Sequence, residues 1–137
     1  MCRTIIVIIA AASLSITVVG CTHQKLKAKG RLLVKGQPMV LKEGESVNVV
    51  FVPILPDGKP PRDHYWAIYN PEDATFWAAG KDREGLPPGK YRIAVAHQLH
   101  KQDLLKGQFD ENRSKFVFDI DANTTEITID LADQSRR

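Results

Sequence analysis

Cysteine is scarce in this chain of 137 residues, which holds only Cys2 and Cys21. Once Cys2 is removed with a targeting segment, a single cysteine remains and no internal disulfide can form, so stability must come from an ordinary apolar core. Charge of one sign is missing too: the formal net charge is +3, and one less without Arg3. A balance so close to neutral excludes the electrostatic footprint expected for nucleic acid or a strongly acidic ligand. Basic residues are not interleaved with aromatics, and no Gly-rich phosphate loop occurs. The Gly-x-Ser-x-Gly elbow of serine hydrolases is absent, and neither Ser46 nor Ser114 has a histidine beside it. Internal repeats and low-complexity segments are also lacking.

What is present begins with an address. Met1-Cys2-Arg3 is a short basic start, residues 4–19 carry no charge and are mostly Ile, Val and Ala, and Gly20-Cys21 follows. A basic region, an apolar region and a small residue at the cut are the parts of a secretory signal. The uncharged run has sixteen residues, short of the roughly 20 that span a bilayer as a helix. Val18-Val19-Gly20-Cys21 resembles the lipobox at which bacterial lipoprotein precursors are cut and lipidated. The expected organisation is a signal peptide over 1–20, cleavage between Gly20 and Cys21, lipid on Cys21 and a tether over 21–25. A β domain over 26–132 and a frayed tail over 133–137 complete it. The alternative is an uncleaved signal anchor with an incidental cysteine. Lys25, Lys27, Lys29 and Arg31 crowd next to the anchor, where positive charge favours anionic head groups; a solvated strand face is the plainer reading. Thr22 stands where Asp often retains lipoproteins in the inner membrane, which favours the outer membrane.

The remainder reads as strands. In 26–35, Leu26, Ala28, Leu32 and Val34 alternate with Lys27, Lys29, Arg31 and Lys35, a period of two. Lys35-Gly36-Gln37-Pro38 marks a turn. Residues 47–54 are rich in β-branched side chains and suit a central strand that Pro53 brings to an end. A proline-rich loop over 56–61 precedes two short aromatic runs, 64–69 and 75–79, joined by Asn70-Pro71-Glu72-Asp73. Leu86-Pro87-Pro88-Gly89-Lys90 makes a stiff corner, and alternation resumes over 91–99. Residues 101–114 favour loop or a turn or two of helix. Phe116, Phe118 and Ile120, then Ile127, Ile129 and Leu131, predict two closing strands joined as a hairpin through Asp121-Ala122-Asn123-Thr124. About seven strands with regular turn signals predict an all-β sandwich or barrel.

Taken in order, the lipobox, Gly36-Gln37-Pro38, Val49-Val50-Phe51-Val52-Pro53 and Pro87-Pro88-Gly89-Lys90-Tyr91 carry a family resemblance. The chain resembles the small lipoproteins of planctomycete-type bacteria that hold a carboxypeptidase-regulatory-like, or transthyretin-like, domain. That resemblance covers most of 26–131 and implies a seven-stranded transthyretin-like (prealbumin-like) β-sandwich in the cell envelope. It implies no reaction. The family's turn and aromatic residue before the proline corner are replaced here by Lys81-Asp82-Arg83-Glu84-Gly85 running straight into Leu86, which leaves the pairing of the middle strands open. Transthyretin-like hydrolases of a purine breakdown product end in Tyr-Arg-Gly-Ser, and this chain ends differently.

Chemistry has few candidates. His97 and His100 are the metal candidates, with Asp103 as a third ligand, but positions three apart on a strand point to opposite faces. Trp66 and Trp77, with His64 beside them, form an aromatic group that binds glycans or peptides if exposed and packs in the core otherwise. The carboxylate pairs Glu43 with Glu45 and Asp119 with Asp121 have the spacing of solvated edges rather than of acid–base catalysis. The expectation is a non-enzymatic, lipid-anchored cell-envelope module without a cofactor. Its partners are the membrane, through lipid on Cys21, and a protein or glycan of the envelope. The alternative is a small-ligand or metal-binding accessory domain using His64, His97, His100 and the aromatics.

Overall fold

The computed structural model describes residues 24–124 and 126–132. Nine strands and their turns account for them, and no helix occurs among the described residues. The strands are β1 (Lys29–Val34), β2 (Gln37–Pro38), β3 (Glu45–Pro53), β4 (Tyr65–Asn70), β5 (Thr75–Ala78), β6 (Gly89–Leu99), β7 (Gln102–Asp103), β8 (Val117–Ile120) and β9 (Ile127–Asp130). β2 and β7 have only two residues each, so seven longer strands form the frame.

They make one curled sheet in the order β2-β1-β5-β4-β3-β6-β7, with β8 paired to β6 and β9 to β1. All the ladders are antiparallel except β1 with β9. β3 and β6 form the longest ladder, from Glu45 opposite Leu99 to Pro53 opposite Tyr91. The curl turns on β4. Its first residues, Tyr65 and Trp66, pair with β3, while Ala67 to Asn70 pair with β5. The middle-strand question is thereby resolved: β4 and β5 are hairpin partners, and Leu86 instead bridges to Leu26.

Period-two burial drives these choices. Val47, Val49 and Phe51 on β3 point inward, as do Tyr91, Ile93 and Val95 on β6 and Ile127 and Ile129 on β9. They join Leu32, Phe76 and Leu86 in one apolar cluster. The Phe51 ring lies 6.1 Å from both Phe76 and Tyr91, tilted to the first and edge-on to the second. Each large side chain buried in this way contributes about 1.5–3 kcal/mol. The proline corner works as its residues predict: Tyr91 is buried and its hydroxyl donates to the Pro87 carbonyl at 2.6 Å.

The β1–β2 turn needs two left-handed residues, and Lys35 and Gly36 have φ of 53° and 75°. Asp130 at the end of β9 accepts both of their N–H groups, at 3.0 and 2.6 Å.

One expectation is corrected. β8 and β9 are not a hairpin. The turn at Asp121 forms, with the Asn123 and Thr124 N–H groups bonded to Asp121, but the chain then crosses the core. β8 settles on β6 and β9 on β1, because each edge offers an unpaired ladder beside the buried cluster. Residues 101–114 take the loop form of the two expected, with β7 inside it and a single i→i+4 turn where the Ser114 N–H donates to the Asp110 carbonyl at 2.9 Å. Asp103 accepts the N–H groups of His97, Leu105 and Gly107, which ties the segment into successive tight turns.

Candidate functional site

The loop between β3 and β4 shapes two clefts in the surface. The Ile54 N–H still donates to the Lys90 carbonyl at 2.8 Å, but beyond it Pro56, Pro60 and Pro61 lack donors, so the segment leaves the ladder. A cleft lies on either side of it. One, of about 390 Å³, is lined by Val52, Ile54, Pro60, His64, Arg92 and Glu111 among others. The other, of about 710 Å³, runs along Tyr65, Pro87, Pro88 and Tyr91.

In the smaller cleft His64 Nε2 lies 3.0 Å from Glu111 Oε2. Arg92 points outward from β6 next to Val52 and donates through Nη1 to the Glu111 carbonyl at 3.1 Å. Its Nε is buried and has no partner among the described residues. A buried donor left unpaired costs about 1–3 kcal/mol, so this atom asks for an explanation.

The other histidines lie elsewhere. His97 sits on β6 opposite Val47, with Nε2 2.9 Å from Glu45 Oε2. Glu45 also accepts the Lys42 N–H, and that bond, helped by His97, holds its carboxyl below the usual range. His100 is exposed in the turn beyond β6, with a φ of 47°. Asp103, the expected third ligand, has its carboxylate committed to three backbone N–H groups. The structure does not bring His64, His97 and His100 together. No group of three His, Cys, Asp or Glu side chains that could hold a metal ion occurs among the described residues.

One member of each carboxylate pair, and one of the serines, has a local duty: Glu45 accepts the Lys42 N–H. Asp121 holds a turn, and Ser114, buried, donates to the Ile93 carbonyl at 2.5 Å.

No known protein family, curated protein or solved structure matches this chain.

The aromatic group is divided between two faces. Tyr65 and Tyr69 pack toward the core, while Trp66 and Trp77 lie on the outer face. Trp66 is 56% exposed and Ile68, two residues on, is 41% exposed. Trp77 is opposite both Ile68 on β4 and Lys29 on β1, so the three share that face. Cys21 and Gly20, the lipidation and cleavage positions, lie outside the described residues, as does the tail over 133–137. Lys25, the last residue of the expected tether, is fastened to the domain by ion pairs with Asp82 and Glu84. Those contacts raise the Lys25 pKa and lower that of Asp82.

Sequence reasoning named His64 but missed Arg92 and Glu111, which lie far from it along the chain. The proline-rich loop was the only local signal for this cleft.

Proposed function

We propose that this protein is a non-catalytic lipoprotein of the bacterial cell envelope, anchored by lipid on Cys21, whose β domain serves as an interaction or structural module. The curled sheet belongs, on this reading, to the transthyretin-like sandwiches, as the family resemblance implies. The observation that carries the proposal is the uncharged run 4–19 ending on Gly20-Cys21, only four residues before Lys25. The fold supports it in a simple way. Among the described residues backbone pairing begins at Leu26, which supports a short tether between anchor and domain. Thr22 after the cysteine favours the outer membrane. Metabolic labelling tests the claim: radiolabelled palmitate enters the wild-type protein and not Cys21→Ala. Equal labelling of both would reject it.

A second reading, a small-ligand accessory domain, has one observation in its favour. The unpartnered Arg92 Nε borders a cleft that also holds His64. An anionic ligand there would raise the melting temperature, with citrate and inorganic phosphate as probes, and Arg92→Met would abolish the rise. Absence of any rise in the wild type rejects this reading.

A further inference from the structure

We propose that the outer face of β1, β5 and β4 lies against the membrane, its tryptophans at the level of the lipid head groups and its basic residues on lipid phosphates. This rests on the reading that Cys21 is lipidated, and adds to it the orientation of the domain.

The face is assembled by strand pairing. Lys29, Trp77 and Ile68 form one row across the three strands, and Arg31 and Thr75 lie in the next row. Trp66 lies two residues before Ile68 and opposite Val50 of β3, so it continues the same surface. Lys27 places its Nζ 5.8 Å from the centre of the Trp77 ring. Exposed tryptophan and isoleucine side by side are unusual on a water-facing strand, since alternation gives this face to polar residues. Tryptophan next to lysine and arginine is the composition of the membrane–water interface, where the ring spans the apolar and polar zones.

Charge selects lipid as the occupant. Among the described residues Lys27 and Lys29 make no ion pair, and both are exposed. Arg31 is partly neutralised by Glu126 at 3.4 Å and faces Asp73. Lys25 is committed to Asp82 and Glu84 at the border of the face. Among the described residues, therefore, two ammonium groups without a carboxylate partner lie beside Trp77, that of Lys27 over its ring and that of Lys29 across the strand pair, and an anionic head group complements them. Reach agrees. Six residue steps lead from Cys21 to Lys27, at most about 20 Å of extended chain, so the lipid on Cys21 holds this strand near the bilayer.

The chain contains two tryptophans, Trp66 and Trp77, so tryptophan emission, excited selectively over tyrosine, reports on this face. The lipidated protein, purified from membranes, is reconstituted into phosphatidylcholine vesicles with or without phosphatidylglycerol, using plain or brominated acyl chains. The expected result is emission shifted to shorter wavelength and quenched at least twofold by brominated lipid, more strongly with phosphatidylglycerol present. Lys27→Glu with Lys29→Glu lowers the quenching while the protein still floats with the vesicles. Removing each basic residue weakens the apposition about fivefold. Trp66→Phe, at an exposed site, removes most of the quenched signal.

Flotation without quenching overturns the orientation and leaves the anchor standing; that result is also expected if the face binds a protein instead. Equal quenching in the double glutamate variant overturns the role of the lysines. Failure of the wild type to float removes the anchor, and the orientation with it.

Discussion

Adding one methyl group at Gly30 tests how this sheet closes. Gly30 lies on β1 between β5 and β9, opposite Phe76 on one side and Ile127 on the other. A Cβ built there would overlap Phe76 Cζ and fall 2.7 Å from both Phe76 Cε1 and the Ile127 carbonyl oxygen. Ordinary carbon contacts are about 3.5–4.0 Å, so a neighbour must move by close to an ångström. Neither can do so cheaply. Phe76 is 2% exposed and packs on Phe51, while the Ile127 oxygen is backbone of a paired strand. Overpacking costs about 1–3 kcal/mol, and a contact on a packed ring and a paired backbone carbonyl at once belongs at the upper end. Gly30→Ala is therefore expected to cost about 3 kcal/mol, which lowers the melting temperature of a domain of this size by about 15 °C.

The opposite sign is expected at Gly89. Its added Cβ would meet only Tyr91 Cε2 at 3.7 Å, an ordinary contact, and its backbone is not left-handed. Gly89→Ala should be stabilising by about 0.4–1 kcal/mol through the unfolded chain. Thermal unfolding followed by far-UV circular dichroism measures both variants. Combining Gly30→Ala with Phe76→Leu, which shortens the buried ring, should recover only part of the loss relative to Phe76→Leu alone, because the Ile127 oxygen stays in place. If Gly30→Ala melts within about 2 °C of wild type, the close approach of β5 and β9 to β1 is wrong.

Two further outcomes follow from single side chains. Asp103→Ala strips the acceptor from three backbone N–H groups, at 3.1, 3.0 and 2.8 Å, and is expected to cost about 2–3 kcal/mol. Amide hydrogen exchange should accelerate at His97, Leu105 and Gly107 first; unchanged protection there would show that the carboxylate does not organise the 97–107 turn. Burial, with Tyr65 nearby, pushes the Tyr91 phenol well above its ordinary value. The folded state thus holds this proton more tightly than the unfolded chain, so stability is complete below about pH 10 and declines as pH rises above it. Tyr91→Phe should lose about 1 kcal/mol at neutral pH, from the bond to Pro87, yet show a shallower alkaline decline; parallel declines in the two proteins would contradict this.

Much of the strand content was legible because burial alternates with a period of two. Val47, Val49 and Phe51 could be assigned to one face from order alone, and Pro53 does end β3. Alternation was expected to resume at Tyr91 after the proline corner, and Tyr91, Ile93 and Val95 are buried in turn. The errors share one cause. Asp121 to Thr124 signals a turn and makes one, but a turn does not name the partner of the next strand. β9 crosses to β1 because an open ladder there lies beside the apolar cluster that holds Leu32 and Phe76. Asp103 looked like part of a short helix or a metal ligand until its three N–H donors came together. Alternation likewise shows that Tyr65 and Trp66 face opposite ways, but not which one is inside.

The sequence by itself determines the signal-like boundary at Gly20-Cys21, the all-β character and the positions of most turns. These depend on charge, apolar length and backbone preference within a few residues of each other. Only the tertiary structure decides that β4 bridges from β3 to β5, that β8 and β9 part company, and that His64 meets Glu111 while His97 meets Glu45. It also decides that Trp66, Ile68 and Trp77 share an open face with Lys27 and Lys29. Such pairings join residues distant along the chain, where closing the loop costs only slightly more with length and the apolar area buried across the whole core selects the partner.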